Sequence, residues 1–424
     1  MTPPGSPQQT MLPVYEAFLP REHALYRPRH GGKQLVALIC ATVFFLTPNL
    51  SVIVGARPGE FENRALTPFP SLGQGWSFFP QLGSWATDHL VLREQAVHAA
   101  DGISRGVFGE PPPLNQEHQQ GPLQVPDGNS TKIDPRQFPT VIEGKDGWLY
   151  LGDEVTSHCV QTQNLDSTFD RLRRFRDGIE ASGRQLVVVI APDKATMVPQ
   201  HMPDSYLGKE CHDTVQNDFW RRVDAENFMV DLRAPLQDWA NRKGQPLYGP
   251  QDAHWNDEGA ITAVRAVTEK LRPGITGSWS VQPKENWELP ADLPRLIGRT
   301  GLTDGTHYAL MPDGKTDGTR TMPADYIPPV HTDTATGTGT YGLRTAWLGD
   351  SFTIRTLPYL AATFRDLTAM HYSTSDQDGG SALADLLGRS DVVVVEFAER
   401  GLIAGAASML TPAVQQNIFR ELNR

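Results

Sequence analysis

Cysteine is scarce in this chain, with three residues in 424, so a framework of several disulfides is excluded. Cys40 lies in an apolar run. That leaves Cys159 and Cys211 either to form one disulfide in an oxidising compartment or to stand as two separate buried thiols. Positive charge is also short: 49 Asp and Glu outweigh 38 Lys and Arg, for a net charge of -11. No basic patch occurs beyond the first 33 residues, which argues against a nucleic-acid partner. Internal repeats with a period of roughly 20 to 50 residues are absent, so a solenoid is not expected. His201, His212 and His371 show no ligand spacing, and a lone Asp-x-His supplies too few ligands for a metal. Neither metal nor cofactor is expected.

Only one long apolar run is present. Leu35 to Gly55 carries no charge over 21 residues, close to the roughly 20 needed for a helix to cross a bilayer. Arg21, Arg27, Arg29 and Lys33 precede it, whereas Arg57 and Arg64 beyond it are offset by Glu60 and Glu62. This bias places the N-terminus in the cytoplasm and the remainder outside, in the cell membrane as a single-pass protein. A cleaved signal peptide and a buried core helix are the alternatives, against which no convincing small-x-small cleavage pattern follows.

Residues 1–33 read as a disordered cytoplasmic tail, 34–55 as the transmembrane anchor and 56–140 as an extracytoplasmic stalk and linker. Within the last, 79–108 has a loose helical face of Leu82, Trp85, Leu90, Leu92, Val97 and Ile103, and 109–139 has linker composition. The catalytic domain is expected over 141–424. Asp146-Gly147 ahead of an apolar run suggests a hairpin. Ser167 to Ser182 reads as a helix capped by Ser167 and Asp170 and ended by Gly183. Gln185–Ala191, Phe228–Leu232, Thr345–Gly349, Leu367–Tyr372 and Asp391–Phe397 read as strands. Helices are expected over Ala234–Arg242, after Asn256 and over Ser381–Leu387. Such alternation argues for a parallel sheet in a three-layer α/β fold. The Gly-, Pro-, Thr- and Asp-rich stretch 276–341 reads as an irregular insertion.

In an open α/β sheet, ligands bind in the crevice at the carboxyl ends of the strands. Gly349-Asp350-Ser351 lies at such an end. A serine hydroxyl attacks poorly unless a base removes its proton, and the base needs an orienting carboxylate. Asp252 and His254, just before a helix, supply that pair in a loop. The helix N-terminus after Ser351 offers N–H groups to a developing oxyanion. Each motif alone also fits an ordinary turn, and their combination is what points to nucleophilic catalysis. Lys194 beside Asp193, Arg400 at the end of the last strand, and the aromatics Tyr372 and Trp255 are candidate substrate contacts. Solvated loop pairs, a structural ion pair and core packing are the respective alternatives.

These residues resemble the SGNH hydrolase superfamily, and within it the alginate O-acetyltransferase (AlgJ and AlgX) branch. The matching stretches are Glu62-Asn63-Arg64, 144–151, Ala191 to Thr196 with Pro199, Asp252-Ala253-His254-Trp255 with Gly259-Ala260, Gly349 to Phe352, and Val394, Glu396, Phe397, Glu399 and Arg400. Asp-x-His precedes Gly-Asp-Ser here, a permuted order relative to typical superfamily members. The resemblance implies Ser351 as nucleophile, His254 as base and Asp252 as its partner. It also implies an extracytoplasmic O-acetyltransferase that carries acetyl on serine to a hydroxyl of a secreted or cell-wall polysaccharide. A membrane-bound O-acyltransferase is the implied donor route, and the membrane-anchored single-domain members are the nearer match. The alternatives are a polysaccharide acetyl esterase using the same three residues and a non-catalytic polysaccharide-binding subunit of an export complex.

Overall fold

Val392–Ala398 is buried at every position, as a β-rich segment must be when both faces of its sheet are covered. Its side chains alternate between two cores. Val392 and Val394 join one with Val187 and Val189, and Val393, Val395 and Phe397 join the other with Leu186, Val188 and Ile190. Full burial of each such side chain contributes roughly 1.5–3 kcal/mol, so the paired central strands are the spine of the fold.

The computed structural model describes residues 31–53, Phe69, Phe78, Leu82, Trp85, His89 and Val91, and 135–423 apart from 324, 325, 335 and 336. The chain divides into two units, one of residues 1–60 and 64–96 and one of 61–63 and 97–424. In the first, Gly31–Ile53 is a helix of 23 residues, and Phe69 meets Trp85 edge-on at 5.1 Å. Among the described residues no helix is long and apolar enough to cross a membrane. Several side chains of this helix lie outside the description. So do the tail before residue 31, nearly all of the stalk and linker to residue 134, and the Glu62-Asn63-Arg64 stretch.

In the second unit a hairpin of β1 (Val141–Glu143) and β2 (Leu149–Leu151) leads in. Its turn holds Asp146 and Gly147 both at positive φ, which is what an Asp-Gly pair tolerates. The main sheet has β3 (Gln185–Ala191), β4 (Met229–Asp231), β7 (Val330–Asp333), β8 (Tyr341–Gly349), β9 (Phe364–His371) and β10 (Val392–Ala398) in the order β4-β3-β10-β8-β9-β7. All neighbours are parallel except β7, which runs antiparallel to β9 at the edge. Helices Asp257–Leu271 and Ser351–Thr363 cover one face, and Leu165–Ala181, Lys209–Ala225 and Pro412–Leu422 cover the other. The mixed α/β architecture with a mostly parallel sheet is as expected.

Two expectations need correction, and two helices were missed. The helix after residue 164 is capped by Asn164, whose side chain accepts from the Ser167 N–H, rather than by Ser167 and Asp170. The stretch 276–341 is not irregular throughout: β5 (Ser280–Pro290) and β6 (Leu302–Met311) form a long antiparallel ladder with a bulge at Pro283–Asn286. Helices Lys209–Ala225 and Pro412–Leu422 were not foreseen.

Candidate active site

β10 lies between β3 and β8, so the carboxyl ends of these three strands open side by side, where a crevice forms in parallel sheets. β8 stops at Gly349, where a Cβ would lie 2.0 Å from Thr353 Oγ1, so only glycine allows this close turn. Asp350 then caps helix Ser351–Thr363, its Oδ1 accepting the Phe352 N–H at 3.1 Å. Its other oxygen accepts the Ala398 N–H at 2.8 Å and the Tyr372 hydroxyl at 3.2 Å. Buried Glu396 accepts from Thr353 Oγ1 at 2.7 Å and the Asp350 N–H at 3.3 Å. Ser351 therefore begins a helix tied to the end of β10.

The second loop comes from the stretch between helices Arg233–Lys243 and Asp257–Leu271. Tyr248 and Trp255 pair as an antiparallel bridge, and Asn256 caps the second helix by accepting the Gly259 N–H. Lys194, fully buried after β3, donates to the carbonyls of Pro250 at 2.9 Å and Asp252 at 3.0 Å. Burial lowers its ammonium to about 8, against the pull of Glu154, Asp292 and Asp252.

These two loops bring Ser351, His254 and Asp252 together. His254 Nε2 lies 2.9 Å from Ser351 Oγ, and Nδ1 lies 3.0 Å from Asp252 Oδ1. Asp252 Oδ1 also accepts the His254 backbone N–H at 2.9 Å. A residue the sequence reading missed completes the set: Asp292 Oδ2 stands 3.2 Å from His254 Nδ1. Its Oδ1 accepts the Ala253 N–H. Burial pulls the His254 pKa down, but the hydrogen bonds and charges of Asp252 and Asp292 outweigh it and leave the imidazole raised to about 9. Asp252 is held low, since its bonds to His254 overcome the effect of burial.

The candidate substrate contacts fare differently. Lys194 is a loop tie with its ammonium turned to two carbonyls, not to a ligand. Arg400 is paired with buried Asp193 at 2.6 Å and lies over the Phe352 ring at 5.3 Å. Burial pushes the Asp193 carboxyl up to about 7, against the pull of Arg400. Trp255 is 1% exposed and packs on Phe352 with ring centroids 4.8 Å apart, so stacking on a sugar face is closed to it. The Tyr372 hydroxyl is kept protonated by burial and by Asp350, and donates to the serine turn. Of the N–H groups expected to serve an oxyanion, that of Phe352 is taken by Asp350 Oδ1 and that of Thr353 by the Asp350 carbonyl. Cys159 and Cys211 are joined by a disulfide with Cα atoms 5.3 Å apart.

Among the described residues, Asp252, His254 and Asp292 are the one group whose ligand atoms, within 4.8 Å of one another, could hold a cation. A proton on Nδ1 already serves both carboxylates, and the Nε2 side is given to Ser351. That arrangement is the one a serine nucleophile and its base require.

A family model described as the SGNH hydrolase-like domain of the acetyltransferase AlgX matches residues 141–318, a span that holds Asp252, His254 and Asp292 but stops before Ser351. The protein named "Probable alginate O-acetylase AlgJ" in Pseudomonas fluorescens is 31% identical over 31% of this chain and 34% of its own length. Its namesake in Pseudomonas putida is 33% identical over 31% and 34%. The chain thus spans about a third of the length of the curated relatives it matches. Among solved structures, the O-acetyltransferase domain of Pseudomonas putida AlgJ is similar at a TM-score of 0.41 and 19% identity, covering 62% of this chain and 93% of that one. Residues 141–318 of this chain are thus similar to the SGNH hydrolase-like domain of the acetyltransferase AlgX, and about a third of the chain is similar to the proteins named AlgJ.

Proposed function

We propose that this protein is an O-acetyltransferase that moves an acetyl group through an acyl-Ser351 intermediate to a hydroxyl of a secreted or cell-wall polysaccharide. The observation that carries this reading is the 2.9 Å contact between Ser351 Oγ and His254 Nε2, continued at 3.0 Å to Asp252. Ser351 Oγ bonds to the acetyl carbonyl carbon while its proton passes to His254 Nε2. The same proton then goes to the departing donor oxygen as its C–O bond breaks. In the second half an acceptor hydroxyl gives its proton to His254 and attacks the acyl carbon, and Ser351 regains a proton as it leaves. Asp252 and Asp292 stabilise the imidazolium in both halves. A membrane-bound O-acyltransferase is the proposed donor route.

We place this domain outside the cytoplasm, anchored through residues 34–55. The support is the 21-residue uncharged run, the exposure of Leu35, Val36, Leu38, Ile39, Val43 and Leu46 along helix Gly31–Ile53, and a disulfide in the catalytic unit. Retention of the full-length chain in carbonate-washed membranes tests the anchor, and release into the wash would refute it.

The chemistry is tested with detergent-purified protein and a chromogenic acetyl ester, with Ser351→Ala and His254→Ala beside the wild type. Ester turnover lost in both variants, with an acetyl mass on Ser351, supports the mechanism. Acetyl on an added oligosaccharide supports transfer, whereas acetate formed in preference to it with every acceptor would make the protein an esterase. A wild type that never acquires the acetyl mass would refute the role of Ser351.

A further inference from the structure

A cavity of about 730 Å³ adjoins His254, lined by that loop and by the β5–β6 ladder, and its size is that of a small-molecule site. Its lining is acidic. Asp252, Glu258, Glu288 and Asp304 contribute carboxylates, against the cations of Arg355 and His254. Both cations already have partners of their own. Arg355 lies 4.0 Å over the Trp287 ring and 3.5 Å from Asp257, and His254 is held between Asp252 and Asp292.

Two further observations bear on this acidity. Glu288 and Asp304 are exposed residues directly opposite each other in the β5–β6 register, and like charges so opposed weaken a ladder. Next to them, Asn286 and Thr306 form a polar pair through a 2.9 Å hydrogen bond. At the inner wall, Glu258 is 4% exposed, and its Oε1 takes Lys243 and the Tyr308 hydroxyl. Among the described residues its Oε2 has no hydrogen-bond partner, although a buried acceptor ordinarily has one. A carboxylate so placed adds negative charge behind the cavity wall and repels another carboxylate.

We propose that this cavity is the acceptor subsite and that it selects a carboxylate-free glycan, neutral or amino-bearing, over a polyuronate. This rests on the acetyl-transfer reading of Ser351. Sugar hydroxyls or an ammonium lie against Glu288 and Asp304, with the Glu258 charge behind them, and the reacting hydroxyl reaches His254 at the end of the same cavity. A polyuronate brings a carboxylate on each ring to the same wall, where the carboxylates outnumber the cations, and meets net repulsion.

The experiment uses full-length protein in detergent at low salt, acetylated on Ser351 by the chromogenic ester. Formation of that acetyl mass, read before any acceptor is added, tests the catalytic reading by itself. Maltotetraose, a glucosamine tetrasaccharide and a mannuronate tetrasaccharide are then offered, and decay of acetyl-Ser351 and acetylation of each sugar are followed by mass spectrometry. The expected result is transfer to a non-anionic sugar at least about tenfold faster than to mannuronate. In the doubly neutralised variant Glu288→Gln with Asp304→Asn, that ratio falls several-fold towards one. Because the ratio compares two acceptors on one preparation, a general loss of activity cancels. Equal or faster transfer to mannuronate, a ratio unmoved in the variant, or no transfer to any of the three from an acetylated enzyme would each overturn the proposal.

Discussion

Two carboxylates on one imidazole nitrogen make a prediction about Asp292. A histidine ordinarily titrates near 6.5, whereas His254 is raised to about 9 by Asp252 and Asp292 against the effect of burial. At neutral pH the base is therefore mostly protonated, about one molecule in a hundred being ready to accept the serine proton. Replacing Asp292 by Asn keeps the acceptor for the Ala253 N–H and removes one of the two charges at about 3 Å. An opposite charge at this range shifts a pKa by roughly 1–3 units, and the quarter exposure of both side chains argues for the low end. The ascending, acid-side limb of ester turnover should move down by about one unit, so that activity at pH 7 rises up to about tenfold. The plateau above pH 9 should fall instead, because the imidazolium formed in the transition state loses a partner. The assay is the pH profile of the acylation burst for wild type and Asp292→Asn. Stability gives a second readout. A raised histidine pKa stabilises fully below the unfolded value near 6.5, and that contribution is lost as pH rises through about 9. Wild type should lose up to roughly 3 kcal/mol over this window, and Asp292→Asn visibly less. A limb that stays in place or moves up in the variant would refute the two-carboxylate account.

Asp252→Asn should be far more severe, lowering the acylation plateau by about 10³–10⁴-fold, because this residue fixes the tautomer and also holds the His254 backbone; a loss comparable to that in Asp292→Asn would reverse the two roles. Arg400→Met leaves Asp193 buried without its cation and should cost roughly 3–5 kcal/mol at pH 8, measured by denaturant unfolding, with a smaller loss near pH 5 where Asp193 is protonated. Unchanged stability with a raised KM for the acceptor would instead make Arg400 a substrate contact. Reducing the Cys159–Cys211 bond, whose partners are 52 residues apart, should lower stability by about 4 kcal/mol on the chain-entropy model; a melting temperature indifferent to reductant would show that the bond is not formed in solution.

The parallel strands were legible because Gln185–Ala191 and Val392–Ala398 are near-continuous apolar runs closed by turn signals, and these patterns belong to a sheet covered on both faces. Ser351, His254 and Asp252 were legible because each sits where an element begins or ends. Asp292 was not, and no local signal announces it. It lies in the Gly- and Pro-rich stretch read as irregular, and only the pairing of β5 with β6, a long-range fact, carries it to the Asp252 loop. The ladder itself was hidden for a related reason. Ser280–Pro290 is half-exposed or exposed throughout, so neither a buried run nor a clean alternation marks it. The functions assigned to Lys194 and Trp255 went astray in the opposite sense: a charged or aromatic residue next to a catalytic motif looks like a ligand contact, and tertiary packing turned both inward.

What unites the hidden part is that it holds the legible part in place. Glu399, at the end of β10, accepts from the Asp193 N–H, the Thr196 hydroxyl and the Trp220 ring, so the ends of β3 and β10 are locked together. From β3, Lys194 reaches the Asp252 carbonyl, and from β10, the Ala398 N–H and Glu396 reach Asp350. The base loop and the nucleophile turn are thus each tied to one of two adjacent strands by a buried charged group. Buried charges left half-paired are costly, and this network keeps several of them: Glu154 is pushed up to about 8 by burial and by Asp193, and Asp193 itself to about 7. A wholly apolar junction would fill the same space without that cost, but it could not hold two loops in register by directional bonds. Rigid placement of reacting groups is what a two-step acyl transfer depends on, and here the charges that a sequence reading assigns most readily to substrate are the ones committed to that placement.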